Sequence, residues 1–117
     1  MTLYFSKNGK KVFVTSNVVF RRSVFSKGFG LMFHSKIIDE AHLFYFCSPR
    51  RVALTMLFVF FPIDVVFLKN NVVVELKKNF RPFSNYISRE KADLVIELPL
   101  NFIDDKKIIV GSKLVLD

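Results

Sequence analysis

The sequence is poor in the residues that staple, cap or ligate. In 117 residues it has one cysteine, two histidines, no tryptophan, four glycines and four prolines. Cys47 alone closes no intramolecular disulfide, which excludes a disulfide-built secreted scaffold. Few prolines and glycines, together with 51% apolar and 24% charged residues, exclude the composition of a disordered chain. The length suits one domain and excludes a two-domain enzyme. Acid is missing too, but only locally. Residues 1–38 contain seven bases and no acid, whereas residues 39–117 contain eleven bases and ten acids, so a net charge of +8 is a +7 segment joined to a nearly neutral body.

What is abundant is phenylalanine, fifteen of them, which suits a core filled by rings that need no polar partner. The opening Met1-Thr2-Leu3-Tyr4-Phe5-Ser6-Lys7-Asn8 lacks the apolar stretch and small-residue cleavage site of a signal peptide, giving an expectation of a cytoplasmic protein. Residues 52–68 imitate a membrane span. Asp64 and Pro62 interrupt them, and two buried strands fit better than a helix.

The pattern predicts strands over residues 10–15, 43–46, 56–61, 64–68, 72–76, 93–98 and 113–116. A hairpin turns at Asn70-Asn71, because asparagine tolerates positive φ. Alternation in the second hairpin strand sets Val72, Val74 and Leu76 on one face and Val73, Glu75 and Lys77 on the other. Residues 77–91 read as a long surface loop anchored by Asn85-Tyr86-Ile87. Residues 22–27 suit a brief helix capped by Ser23, and residues 104–107 a short helix or turn. The sum is a single α+β domain over residues 1–117, mainly antiparallel β, as an open barrel or sandwich-like fold with one or two short helices.

Three stretches then carry a resemblance: Gly30-Leu31-Met32-Phe33-His34, Ala41-His42-Leu43-Phe44-Tyr45-Phe46, and Thr55-Met56 through Pro62-Ile63-Asp64 to Phe67. Their order and spacing are similar to domain-of-unknown-function family 192, and the likeness runs through Asn70-Asn71, Val95-Ile96-Glu97-Leu98 and Gly111, covering about residues 11–116. The resemblance implies a small, mostly antiparallel β domain of no established activity. His34 stands where the family has arginine, Thr55 where it has tryptophan, and Leu57-Phe58-Val59 where it has Lys-Asn-Thr. Near Asn101 and at Ser112 the family has Gly and Asp, so of its Trp-Met-Lys-Asn-Thr and Pro-x-Asp polar set Asp64 alone is kept.

Catalytic and metal motifs fail on spacing. Lys27-Gly28-Phe29-Gly30 with Val12-Phe13-Val14 imitates an RNA-recognition signature, yet Leu31 and His34 occupy its aromatic positions. His34, His42 and Cys47 are too few and too scattered for zinc, and the plain role for Cys47 is a small buried hydrophobe. Cys47-Ser48-Pro49-Arg50-Arg51 places no arginine at the phosphatase position, which is Ala53. Asp39-Glu40 and Asp104-Asp105 are adjacent pairs whose side chains diverge. No catalytic residue, metal site or cofactor is therefore expected.

A lone acid in an apolar run must be hydrogen-bonded or edge a pocket, so Asp64 leads the candidate site residues. A pocket near Met32, His34, Met56 and Asp64, with Glu97 converging, would make a non-enzymatic domain that binds a small ligand or a protein. The alternative is a nucleic-acid or polyanion binder using a basic face of Arg21, Arg22, Lys27 and Lys36.

Overall fold

The computed structural model describes residues 1–21, 37–56 and 59–117. Their strands are β1 (Leu3–Lys7), β2 (Lys10–Thr15), β3 (Val18–Arg21), β4 (Ala41–Arg50), β5 (Ala53–Thr55), β6 (Ile63–Lys69), β7 (Val72–Phe80), β8 (Asn85–Ile87), β9 (Ala92–Pro99) and β10 (Lys113–Leu116), with one short helix, α1 (Phe102–Asp105). Eight strands form one sheet in the order β2-β1-β10-β7-β6-β9-β4-β3, and β5 and β8 form a separate pair. Among the described residues every pairing is antiparallel except β3 with β4.

Local chemistry sets the turns. Asn8-Gly9 joins β1 to β2 and Asn70-Asn71 joins β6 to β7, all four at positive φ, the conformation a tight hairpin turn needs. At the corner between β2 and β3, Thr15 Oγ1 and Asn17 Nδ2 both donate to the Asp39 carbonyl, at 3.2 and 2.8 Å. This corner brings the two ends of the sheet to one core, and the sheet curls without closing.

Period-two alternation divides the side chains between two cores. On the concave side lie Leu3 and Phe5 from β1, Val14 from β2, Leu43 from β4, Val66 and Leu68 from β6, Leu94, Ile96 and Leu98 from β9, and Ile103 from α1. On the convex side Phe44, Ile63, Val65, Phe67 and Val95 are covered by Val52, Leu54, Met56, Val59 and Phe61. Central strands β6 and β9 are thus buried on both faces, which is why their sequences run apolar without alternation. Phe44, Phe67 and Phe80 are fully buried, each contributing about 1.5–3 kcal/mol.

Several sequence expectations change. No strand spans 56–61: among its described residues, Val59 N–H turns back to the Met56 carbonyl, and the segment serves as a lid over the convex core. The loop expected over 77–91 is partly strand, since β7 runs to Phe80 and residues 85–87 form β8 against β5. The faces of β7 do not alternate cleanly, because a register shift opposite Phe67 and Leu68 inserts an extra residue. Val73 and Leu76 therefore meet the concave core and Val74 the convex one. Cys47 is exposed rather than buried, because β4 leaves its register with β9 between Tyr45 and Arg50. The helix expected over 22–27 lies outside the described residues.

Candidate functional site

The β6 strand begins Pro62-Ile63-Asp64, and Asp64 faces the concave side opposite Leu98 of β9. Its carboxylate is buried and fully used: Oδ1 accepts the Asn79 N–H and Oδ2 the Ile103 N–H, both at 3.0 Å. Asn79 has a φ of 52°, the left-handed conformation that asparagine tolerates, and the acid fixes this bend near the end of β7. Ile103 lies in α1, whose preceding residue Asn101 makes no side-chain cap. Asp64 therefore does from β6 what a local cap would do, and it fixes α1 to the end of the sheet.

Beside this clamp, just past the Ile63–Pro99 pair that ends the β6–β9 ladder, lies a cavity of about 390 Å³. Its described walls are Ile37 and Ile38, Phe61 and Pro62, and residues 99–102. Seven of the eight side chains are apolar and the eighth is the uncapped amide of Asn101. This is the composition of a small-molecule or apolar-segment site, with one polar group to orient an occupant.

The expected pocket members separate. Met56 is buried in the convex lid, and Glu97, opposite His42 and Val65, lies on that same side of the sheet. Asp64 points to the other side, so it does not converge with Glu97. Met32, His34, Arg22, Lys27 and Lys36 lie outside the described residues. Arg21 is half-buried, and its Nε and a terminal guanidinium nitrogen approach His42 Nδ1 at 3.1 and 3.0 Å. An arginine only donates, so Nδ1 accepts and Nε2–H donates to Glu40 Oε1 at 3.0 Å. This relay ties edge strand β3 to β4.

Glu75 is a second buried carboxylate, unannounced by its sequence. Oε1 accepts the Arg89 and Glu90 N–H groups at 2.8 Å each, and Oε2 accepts the Tyr86 hydroxyl. It fastens the loop after β8 to β7. The signal available in the sequence was Tyr86, the anchor of the supposed loop. Burial, then the hydrogen bond and the charge of Glu75, raise the Tyr86 phenol above its ordinary value.

From about pH 10 upward the unfolded phenol ionises while the folded one keeps its proton, so stability present below that pH is lost as pH rises through the folded value. Urea midpoints at successive pH values above 10 should fall more steeply for the wild type than for Tyr86→Phe; parallel curves would refute the coupling.

Among the described residues no group of three or more histidine, cysteine or acidic side chains could hold a metal ion. No helix among them is long and apolar enough to cross a membrane. The basic neighbours of Cys47 are engaged elsewhere, Arg50 over the Phe46 ring and Arg51 Nε on the Ser88 carbonyl at 3.0 Å.

The architecture defines a small α+β domain built on one curled, mainly antiparallel sheet. The chain belongs to domain-of-unknown-function family 192, described as an uncharacterised ACR, whose profile matches residues 4–116. The match takes in β1 and with it most of the basic N-terminal segment. Two solved structures share the fold. A candidate transcription regulator from Sinorhizobium meliloti 1021 is 23% identical with a TM-score of 0.86, over 97% of this chain and 91% of its own. A protein of unknown function from Novosphingobium aromaticivorans DSM 12444 is 17% identical with a TM-score of 0.85, over 99% of this chain and 84% of its own. Among curated proteins none matches the chain.

Proposed function

We propose that this domain is a non-enzymatic binding module whose cavity takes a small amphipathic molecule or a short apolar segment of a protein. The carrying observation is the cavity at the end of the β6–β9 ladder, whose described side chains are apolar except for Asn101. Its walls are held from beneath by Asp64 through Ile103. An occupant with an apolar body and one hydrogen-bonding head matches this lining.

Thermal unfolding with decanoate, phenylpropionate and an apolar peptide as probes tests the reading, alongside native mass spectrometry of gently purified protein. A probe at a hundred times its Kd adds about 2.7 kcal/mol, a rise in Tm of roughly 10 °C for a domain of this size. The shift should shrink in Leu100→Trp, which fills the cavity. A bare mass together with no shift from any probe would refute the proposal.

A further inference from the structure

Among the described residues, cover on the convex face of the large sheet is confined to one half. Over β6, β9 and β4 the face lies beneath the lid of Leu54 and Met56. Over β10, β1 and β2, the same face carries Lys113 and Val115, Tyr4 and Ser6, and Lys11 and Phe13. Alternation gives this placement, since Leu114, Leu3, Phe5 and Val14 turn to the concave core. Tyr4 and Phe13 are register partners, with ring centroids 6.0 Å apart, edge to face. Phe13 is 47% exposed.

A lysine lies over each of these rings. Lys11 Nζ lies 4.5 Å from the Tyr4 ring centre, and Lys106 Nζ, at the end of α1, lies between the rings of Phe102 and Phe13, 5.4 and 5.7 Å from their centres. Of the four lysines in β1, β2 and β10, alternation puts Lys11 and Lys113 on this face and Lys7 and Lys10 on the other. Asp104, the acid nearest Lys106 in sequence but for Asp105, is bridged to Lys78 at 2.7 Å. Lysines on an edge strand also deter pairing between chains, which explains Lys10 and Lys11 but not an exposed phenylalanine between them and the core.

We infer that this half-face binds single-stranded nucleic acid, with a base stacking on the exposed Phe13, which Tyr4 supports from the side, and phosphates meeting Lys11, Lys113 and Lys106. Alternating rings and cations on an open sheet suit a strand that presents bases and phosphates in turn. A bilayer would call for a projecting apolar wedge, whereas these rings lie among lysines on the sheet surface.

The test is fluorescence anisotropy of the full chain with labelled oligothymidylate and oligouridylate at about 50 mM salt, where phosphate contacts are strong. Saturable binding is expected, and Phe13→Ala should weaken it roughly 5- to 150-fold while Phe13→Tyr restores it. Lys11→Gln should flatten the log–log salt slope by about 0.7. Lys11→Gln should leave thermal melting unchanged, and Phe13→Ala, which gives up its contact with Tyr4, should lower it by only a few degrees with the cooperative transition kept, which separates lost binding from lost fold. Three results would each overturn the assignment. They are no anisotropy change with either oligonucleotide, binding indifferent to Phe13→Ala, and Phe13-dependent sedimentation with phosphatidylserine vesicles in place of oligonucleotide binding.

Discussion

Replacing Asp64 with alanine lowers the unfolding free energy by roughly 2–4 kcal/mol in urea denaturation. The size follows from what is stranded: the buried N–H of Ile103 loses its acceptor, as does the N–H of Asn79 at the bend near the end of β7. Asp64→Asn keeps much of that loss, about half or more, because the two carboxylate oxygens each accept a different backbone N–H. An asparagine amide can place its oxygen on one donor only, and its NH2 then opposes the other. The effect should reach the cavity, since α1 and residues 99–102 rest on this carboxylate. A loss below about 1 kcal/mol for the alanine variant would show that the clamp is dispensable.

Glu75→Ala is expected to be at least as damaging, roughly 3–5 kcal/mol, because three donors lose one acceptor group. The amide variant should behave differently here. Both backbone N–H groups fall on Oε1, so a glutamine oxygen serves both, while its NH2 faces Tyr86, whose hydroxyl rotates from donor to acceptor. Glu75→Gln should therefore cost about 1 kcal/mol, well below Asp64→Asn. Urea midpoints of the four variants check the order, and a Glu75→Gln loss equal to that of Glu75→Ala would contradict this geometry.

The contrast between these two acids shows what the sequence could reveal. Asp64 is legible because a carboxylate inside an apolar run must be satisfied, and Asn70-Asn71 because a turn is a local choice. Glu75 is hidden, since between Val74 and Leu76 it looks like the solvent face of a hairpin strand. Its burial arises from β8 folding back on β5 and from Tyr86 packing over Phe67, contacts distant in sequence. Strand β3 was missed for the same reason: a four-residue strand that pairs in parallel with β4 announces no hairpin.

The cavity was legible in part. Pro62 and Asp64 marked its neighbourhood, but its walls come from residues 37–38 and 99–102, which no motif singles out. The convergence of Asp64 and Glu97 expected for a pocket shared with His34 and Met56 fails on parity. Val65, not Asp64, sits opposite Glu97, and neighbouring residues on a strand face opposite sides.

Backbone amide chemical shifts of the full chain during titration with decanoate and phenylpropionate test the central claim most directly. Saturable changes should cluster at Ile38, Leu100, Asn101 and Phe102 and disappear in Leu100→Trp. No saturable change with either probe, or changes confined to other surfaces and untouched by Leu100→Trp, would contradict a binding site at the end of the β6–β9 ladder.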